Sequence, residues 1–233
     1  MNIAENLATI QTRLTSACDR AGRSPASVSL LAVAKYQPPE AVSAAAALGV
    51  TLIGENRVQE AKGKIPLCPG KLRWHMIGHL QTNKVRDAVE LFSMIESVDS
   101  LRLAEEVNKR AEQAAKTMPI LLEVNVAGEA SKFGYPPARL LEELPTLNAL
   151  PRVEIHGLMC VPPVKPMPEQ VRPYFRELRE LRVRAEAILG APLPHLSMGM
   201  SSDFEVAIEE GATIVRVGTA LFGPRQAAVR EEV

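Results

Sequence analysis

The sequence predicts an α/β protein, a single (β/α)8 TIM-like barrel led in by an N-terminal helix. Three observations predict it. Short apolar, β-branched runs alternate with helix-period stretches along the chain, the pattern of parallel βαβ units whose crossovers share one hand. The runs number eight, enough to close a barrel, although pattern alone also permits an open doubly wound sheet. No Gly/Ser linker, charge block or low-complexity run divides the 233 residues, so one domain spans 1–233.

The elements follow in order. Ile3, Leu7, Ile10 and Leu14 recur at spacings of four, three and four, which places them on one face of a helix within residues 1–22. Gly22 and the Ser24-Pro25 pair stop it. The barrel then occupies residues 28–223. Its strands read VSLLAVAKY, TLIGEN, LRWHMIG, MIESV, PILLEVNV, VEIHGLMC, HLSMG and TIVRVG. Between them lie seven helix-like stretches, from PEAVSAAAALG to SDFEVAIEEG, and an eighth, poorer helix is expected after Pro224. The Pro-rich run VPPVKPMP, residues 161–168, reads as a long loop after strand six.

Composition narrows the class. Hydrophobic residues make up 46% and charged residues 23%, enough apolar surface for a core and too little charge for disorder. Lys plus Arg equals Asp plus Glu at 27 each, so the chain carries no electrostatic footprint for nucleic acid or an anionic membrane. Cys18, Cys68 and Cys160 are odd in number and widely spaced, which fits reduced thiols better than a disulfide framework or a zinc site. The first segment carries charges within its apolar pattern, unlike a signal peptide, and no window reaches the roughly 18 apolar residues of a membrane helix. A cytoplasmic, metal-free protein is expected.

In such barrels the working residues sit at the C-terminal ends of the strands. There the sequence places Lys35, Asn56, His79, Ser97, Asn125, the segment 197–201, and Arg216 to Thr219. Lys35 shares the face of Leu31 and Val33 by the period of two. An inward lysine among apolar walls is desolvated, which favours the neutral amine that Schiff-base formation requires. A rim lysine snorkelling along its stem is the competing reading. The segments LSMGMSSD and RVGTALFG bring Gly199, Ser201, Gly218 and Thr219 to the ends of strands seven and eight. Small residues and backbone N–H groups at those loops suit a phosphate group, although ordinary caps and turns use the same residues. Strands one and eight are neighbours in a closed barrel, so Lys35 would face this cup.

Seven blocks, in order, carry a resemblance across nearly the whole chain. They are LLAVAKYQP, IGENRVQEAKGK, RWHMIGHLQTNK, VNVAGEASKFG, HGLMC, LSMGMSSDFEVAIEEGATIVRVGTALFG and the arginine that follows it. On these the chain resembles the pyridoxal phosphate homeostasis protein family, whose fold is similar to the N-terminal barrel of alanine racemases. Tyr36 and Met76 depart from the residues expected there in many relatives. The resemblance implies pyridoxal 5′-phosphate (PLP) bound as a Schiff base on Lys35, with Ser201, Gly218 and Thr219 as its phosphate cup. It implies Arg216 at the pyridine nitrogen, Asn56 near the ring substituents, and Ser197 and Met198 along the cofactor's edge. His75, His79 and Lys132 fall within the matching blocks without an assigned role.

Chemistry follows from those implied roles. A guanidinium only donates hydrogen bonds, so a pyridine nitrogen facing Arg216 stays unprotonated and the ring is a weak electron sink. A racemase also needs a second acid/base opposite the lysine. The enzymatic relatives supply a tyrosine from an additional β domain, and here Tyr135 is the one tyrosine placed to substitute. The resemblance therefore implies a non-catalytic, monomeric PLP carrier with no catalytic residues of its own. Its role would be PLP homeostasis, with PLP-dependent apo-enzymes as recipients. Two alternatives stay open: a weak amino-acid racemase using Lys35 as base, and a phosphate-binding barrel enzyme that never uses PLP.

Overall fold

The computed structural model describes residues 2–129 and 132–224, and in it eight parallel strands close into a barrel in chain order. The strands are β1 (Ser29–Val33), β2 (Leu52–Glu55), β3 (Arg73–Met76), β4 (Met94–Val98), β5 (Met118–Glu123), β6 (Val153–Met159), β7 (His195–Met200) and β8 (Ile214–Val217). Each falls inside or within a residue of the run predicted for it. Closure is direct: Leu31 of β1 lies opposite Arg216 of β8.

The helices surround this barrel. They are α1 (Ile3–Arg20), α2 (Pro39–Ala47), α3 (Val58–Lys64), α4 (Val85–Leu91), α5 (Leu101–Gln113), α6 (Pro137–Asn148), α7 (Arg172–Leu189), α8 (Phe204–Glu209) and α9 (Thr219–Phe222). Asn2 caps α1 by accepting a hydrogen bond from the Glu5 amide, and Gly190 ends α7 in the left-handed conformation. α1 packs beside α8, where Arg13 pairs with Glu205 at 2.7 Å and lies over the Phe204 ring. The helix expected after Pro224 lies outside the described residues from 225 onward. β8 is followed at once by the single turn α9, which begins at Thr219 directly after Gly218.

Two cores result. The larger fills the layer between strands and helices, with Ile53, Ile120, Leu122, Phe175 and Phe204 fully buried. The smaller lies inside the barrel and consists of Leu31, Leu52, Met94, Leu121, Met159 and Ile214. Strand alternation explains the division: Leu121 points in while Ile120 and Leu122 point out. Burial on both faces is why these strands read as nearly continuous apolar runs. Among the described residues, no helix is long and apolar enough to cross a membrane.

Candidate functional site

Above the inner core the barrel opens into a cavity of about 660 Å³. Val33, Ile77 and Val161 give it apolar walls at the ends of β1, β3 and β6. Lys35 enters from the segment after β1, two positions beyond Val33 on the same face. Ser201, Ser202, Gly218, Thr219 and Ala220 form a patch of small residues on the loops after β7 and β8. The two loops are joined where the Ala220 amide donates to Ser201 Oγ at 3.3 Å. Gly218 lets β8 pass close to β1, since a Cβ there would come within 3.3 Å of Val33 Cβ.

Arg216 lines the cavity and is almost wholly buried. Its Nη1 donates to the Ser197 carbonyl and to Ser197 Oγ, both at 2.7 Å, and its Nη2 donates to the Cys160 carbonyl at 2.7 Å. Ser197 Oγ in turn donates a hydrogen bond to Glu96 Oε2 at 2.5 Å. The other Glu96 oxygen accepts from His75 Nδ1 at 2.6 Å. A chain of polar side chains thus crosses the barrel interior from β8 through β7 and β4 to β3. Burial alone would raise the pKa of Glu96, but the His75 hydrogen bond and the charge of Arg216 outweigh it and hold the carboxyl below its usual range.

Six of the eight residues predicted for the cofactor line this cavity together: Lys35, Asn56, Ser201, Arg216, Gly218 and Thr219. Ser197 and Met198 do not line it. Ser197 is fully buried behind Arg216 and touches it from below. Met198 lies in the outer layer, packed with the helices. β7 is irregular beyond this point: Ser197 pairs with Ile214 and Met200 with Arg216, three steps against two. Gly199 makes the extra step at a φ of +90°, where a Cβ would sit 2.5 Å from Ala207 Cβ. Met198 points outward as simple alternation from the inward Ser197 requires. The extra step turns Met200, which alternation would also send outward, into the cavity lining.

The remaining candidates separate. His75 is an interior histidine held by Glu96. His79 is exposed, stacked on Phe133 at 3.8 Å with its Nδ1 3.2 Å from Asp99. Ser97 and Asn125 fasten backbone, the first donating to the Gly78 carbonyl at 2.6 Å and the second to the Glu129 carbonyl at 2.9 Å. Lys132 lies on the loop between β5 and α6. Tyr135 is buried in the outer layer, where burial and the neighbouring Glu143 push its hydroxyl far above its usual pKa. It is not the intruder at the cavity that the sequence suggested. Sequence reasoning missed Glu96, whose signal was a lone carboxylate inside the apolar run MIESV. It also missed Glu123, which ends β5 on the inner face.

With this geometry in view, the relatives are informative. Residues 3–226 match the family model for the alanine racemase N-terminal domain. The chain is 48% identical over 227 residues to the pyridoxal phosphate homeostasis protein of Aquifex aeolicus, covering 97% of this chain and all of that one. It is 44% identical to the protein of that name from Pseudomonas aeruginosa, over 96% of each chain. The solved structure of PipY from Synechococcus elongatus with PLP bound superposes with a TM-score of 0.84 at 39% identity, covering 95% of this chain and all of PipY. The chain belongs to the pyridoxal phosphate homeostasis protein family. The match runs the full length of the Aquifex aeolicus relative and of PipY.

One electrostatic consequence is testable in this family member without any ligand. Burial, with Asp99 adding to it, raises the pKa of Glu123 to about 7, against the pull of Arg216 and Lys132. An acid whose folded pKa is raised binds its proton more tightly in the native state than in the unfolded one. Its contribution is therefore present at low pH and is lost as pH rises from its unfolded value toward about 7. Glu123→Gln should remove about 1 kcal/mol or more of the stability lost between pH 5 and pH 7.5. Urea unfolding at the two pH values measures it, and an unchanged pH dependence in the variant would show that Glu123 titrates normally.

Proposed function

We propose that this protein binds PLP as a Schiff base on Lys35 and holds it for intracellular PLP homeostasis without turning it over. The observation that carries this is the convergence of Lys35, Arg216 and the small polar patch of Ser201, Gly218 and Thr219 on one cavity. The residues suit the group. Asn56 Oδ1 is buried and has no hydrogen-bond partner among the described residues, so the cavity presents an acceptor in need of a donor. The lining contains no carboxylate that would repel a phosphate dianion. PipY, closely similar in sequence and fold, is known with PLP bound.

PLP supplies an aldehyde that condenses with amines and a ring that can accept electron density. The protein's residues decide how much of that chemistry is expressed. Lys35 offers the amine. The hydroxyls of Ser201 and Thr219 donate to phosphate oxygens, and Gly218 leaves room for close approach. Arg216, tied down by Ser197 and Cys160, presents a permanent cation to the ring, where it can donate but never give up a proton. A ring nitrogen beside it stays unprotonated, which supports a holding role over racemisation. The burial of Tyr135 away from the cavity supports the same reading. On this reading the protein works as a cytoplasmic monomer and passes PLP to apo-enzymes.

Borohydride reduction of the PLP-loaded protein, followed by peptide mapping, should place the label on Lys35, and Lys35→Ala should remove the visible absorption band while leaving the fold intact. Label on Lys132, or on no lysine, contradicts the assignment. The phosphate cup gives an independent expectation. Ser201→Ala and Thr219→Ala should each weaken PLP binding by about ten- to a hundredfold, as for a hydrogen bond to a charged group, and leave the weaker binding of pyridoxal unaffected. Equal losses for both ligands would place the phosphate elsewhere.

A further inference from the structure

The two peptide groups that flank Lys35 are gripped by one pair of side chains on α3. On the preceding side, Lys64 Nζ donates to the Ala34 carbonyl at 2.7 Å. On the following side, the Tyr36 amide donates to Glu60 Oε1 at 2.5 Å. The two gripping residues are themselves joined, Lys64 Nζ to Glu60 Oε1 at 2.9 Å, four residues apart on the helix. Lys64 is buried, an uncommon position for an ammonium group, and is matched there by Glu55 of β2, fully buried at 2.5 Å. A buried ion pair is weak evidence for stability, because desolvation offsets the attraction. Its value here lies in where the hydrogen bonds go.

Backbone conformation makes the grip necessary. β1 ends at Val33, and the Ala34 amide makes one last ladder bond, to the Gly54 carbonyl at 2.9 Å. Tyr36 then adopts a φ of +63°, a left-handed conformation that is unfavourable for a residue with a Cβ. Lys35 lies between a finished strand and a strained residue, with neither regular structure nor backbone preference to fix its direction. We infer that Glu60 and Lys64 are positioning residues for Lys35: by holding the Ala34 carbonyl and the Tyr36 amide they aim Nζ into the cavity. Neither is among the residues that line the cavity. The inference rests on the Schiff-base reading, in which Nζ bonds to the aldehyde carbon with loss of one water and no redox change.

A positioning role separates covalent bond formation from ligand binding. The test mixes the full-length protein rapidly with PLP and follows the rise of the visible band. In parallel, equilibrium binding is measured for pyridoxine 5′-phosphate, which has the same ring and phosphate but no aldehyde. Glu60→Ala should slow the rise by about tenfold or more, with pyridoxine 5′-phosphate affinity unchanged. Glu60→Gln keeps an oxygen acceptor for the Tyr36 amide and should restore the rate to near that of the wild type. Should the alanine variant not fold, Glu60→Met fills the same volume without the acceptor and carries the same expectation. Wild-type rates in the variant lacking the acceptor would overturn the inference, as would a parallel loss of pyridoxine 5′-phosphate affinity. A wild-type protein that never develops the band would instead defeat the Schiff-base reading itself.

Discussion

The anchoring of Arg216 is the interaction on which the rest of the site depends. A guanidinium inside a barrel must have its N–H groups satisfied and its charge matched, or the fold does not tolerate it. Here the Ser197 and Cys160 carbonyls satisfy it, and Glu96 matches it through the Ser197 hydroxyl and the pull of its own charge. His75 completes the chain by occupying the second Glu96 oxygen. The network draws on β3, β4, β7 and β8 and lends the carbonyl of Cys160 at the end of β6. It therefore links the barrel across its interior while the layer of Leu31, Leu121 and Ile214 below stays apolar. Removing one member would strand its partners without solvent, which makes the set costlier to break than any single hydrogen bond in it.

That constraint shapes the cavity above. Arg216 is held in place by Ser197 and Cys160, and on the proposed reading the ring of bound PLP would meet a fixed cation. The opposite wall works by similar logic from outside the barrel, where α3 holds the peptides around Lys35. Between these two fixed points the cup after β7 and β8 is made of small residues that present hydroxyls and backbone. On the proposed reading this arrangement suits a phosphorylated aldehyde, and the cavity lining among the described residues carries no carboxylic acid to make the ring a strong electron sink.

Much of this was legible in the sequence. Eight apolar runs gave the barrel because strands buried on both faces leave a continuous signal, and the period of two carried the inward direction of Lys35 beyond Leu31 and Val33. Residues at strand ends were visible because polar side chains stand out there. What stayed hidden arose from irregular geometry or from partners distant in the chain. The irregularity at Gly199 turned Met200 into the cavity, and no spacing rule reveals such a step. Glu96 looked like an interruption of a strand until His75, Ser197 and Arg216 were seen around it. Lys64 and Glu60 stand four residues apart in a helical stretch, and only the fold brings them to the backbone of Ala34 and Tyr36. The turn α9 was hidden too, because Gly218 and Thr219 read as loop residues rather than as the start of a helix.

The claim that a fixed cation governs the site is most directly tested at the ring nitrogen of the bound cofactor. The protein can be loaded with PLP labelled with ¹⁵N in the pyridine ring and its chemical shift recorded by NMR between pH 6 and pH 8. If Arg216 faces that nitrogen, the shift will be that of an unprotonated pyridine and will not move across the range. A shift typical of a pyridinium, or one that titrates, would contradict the account.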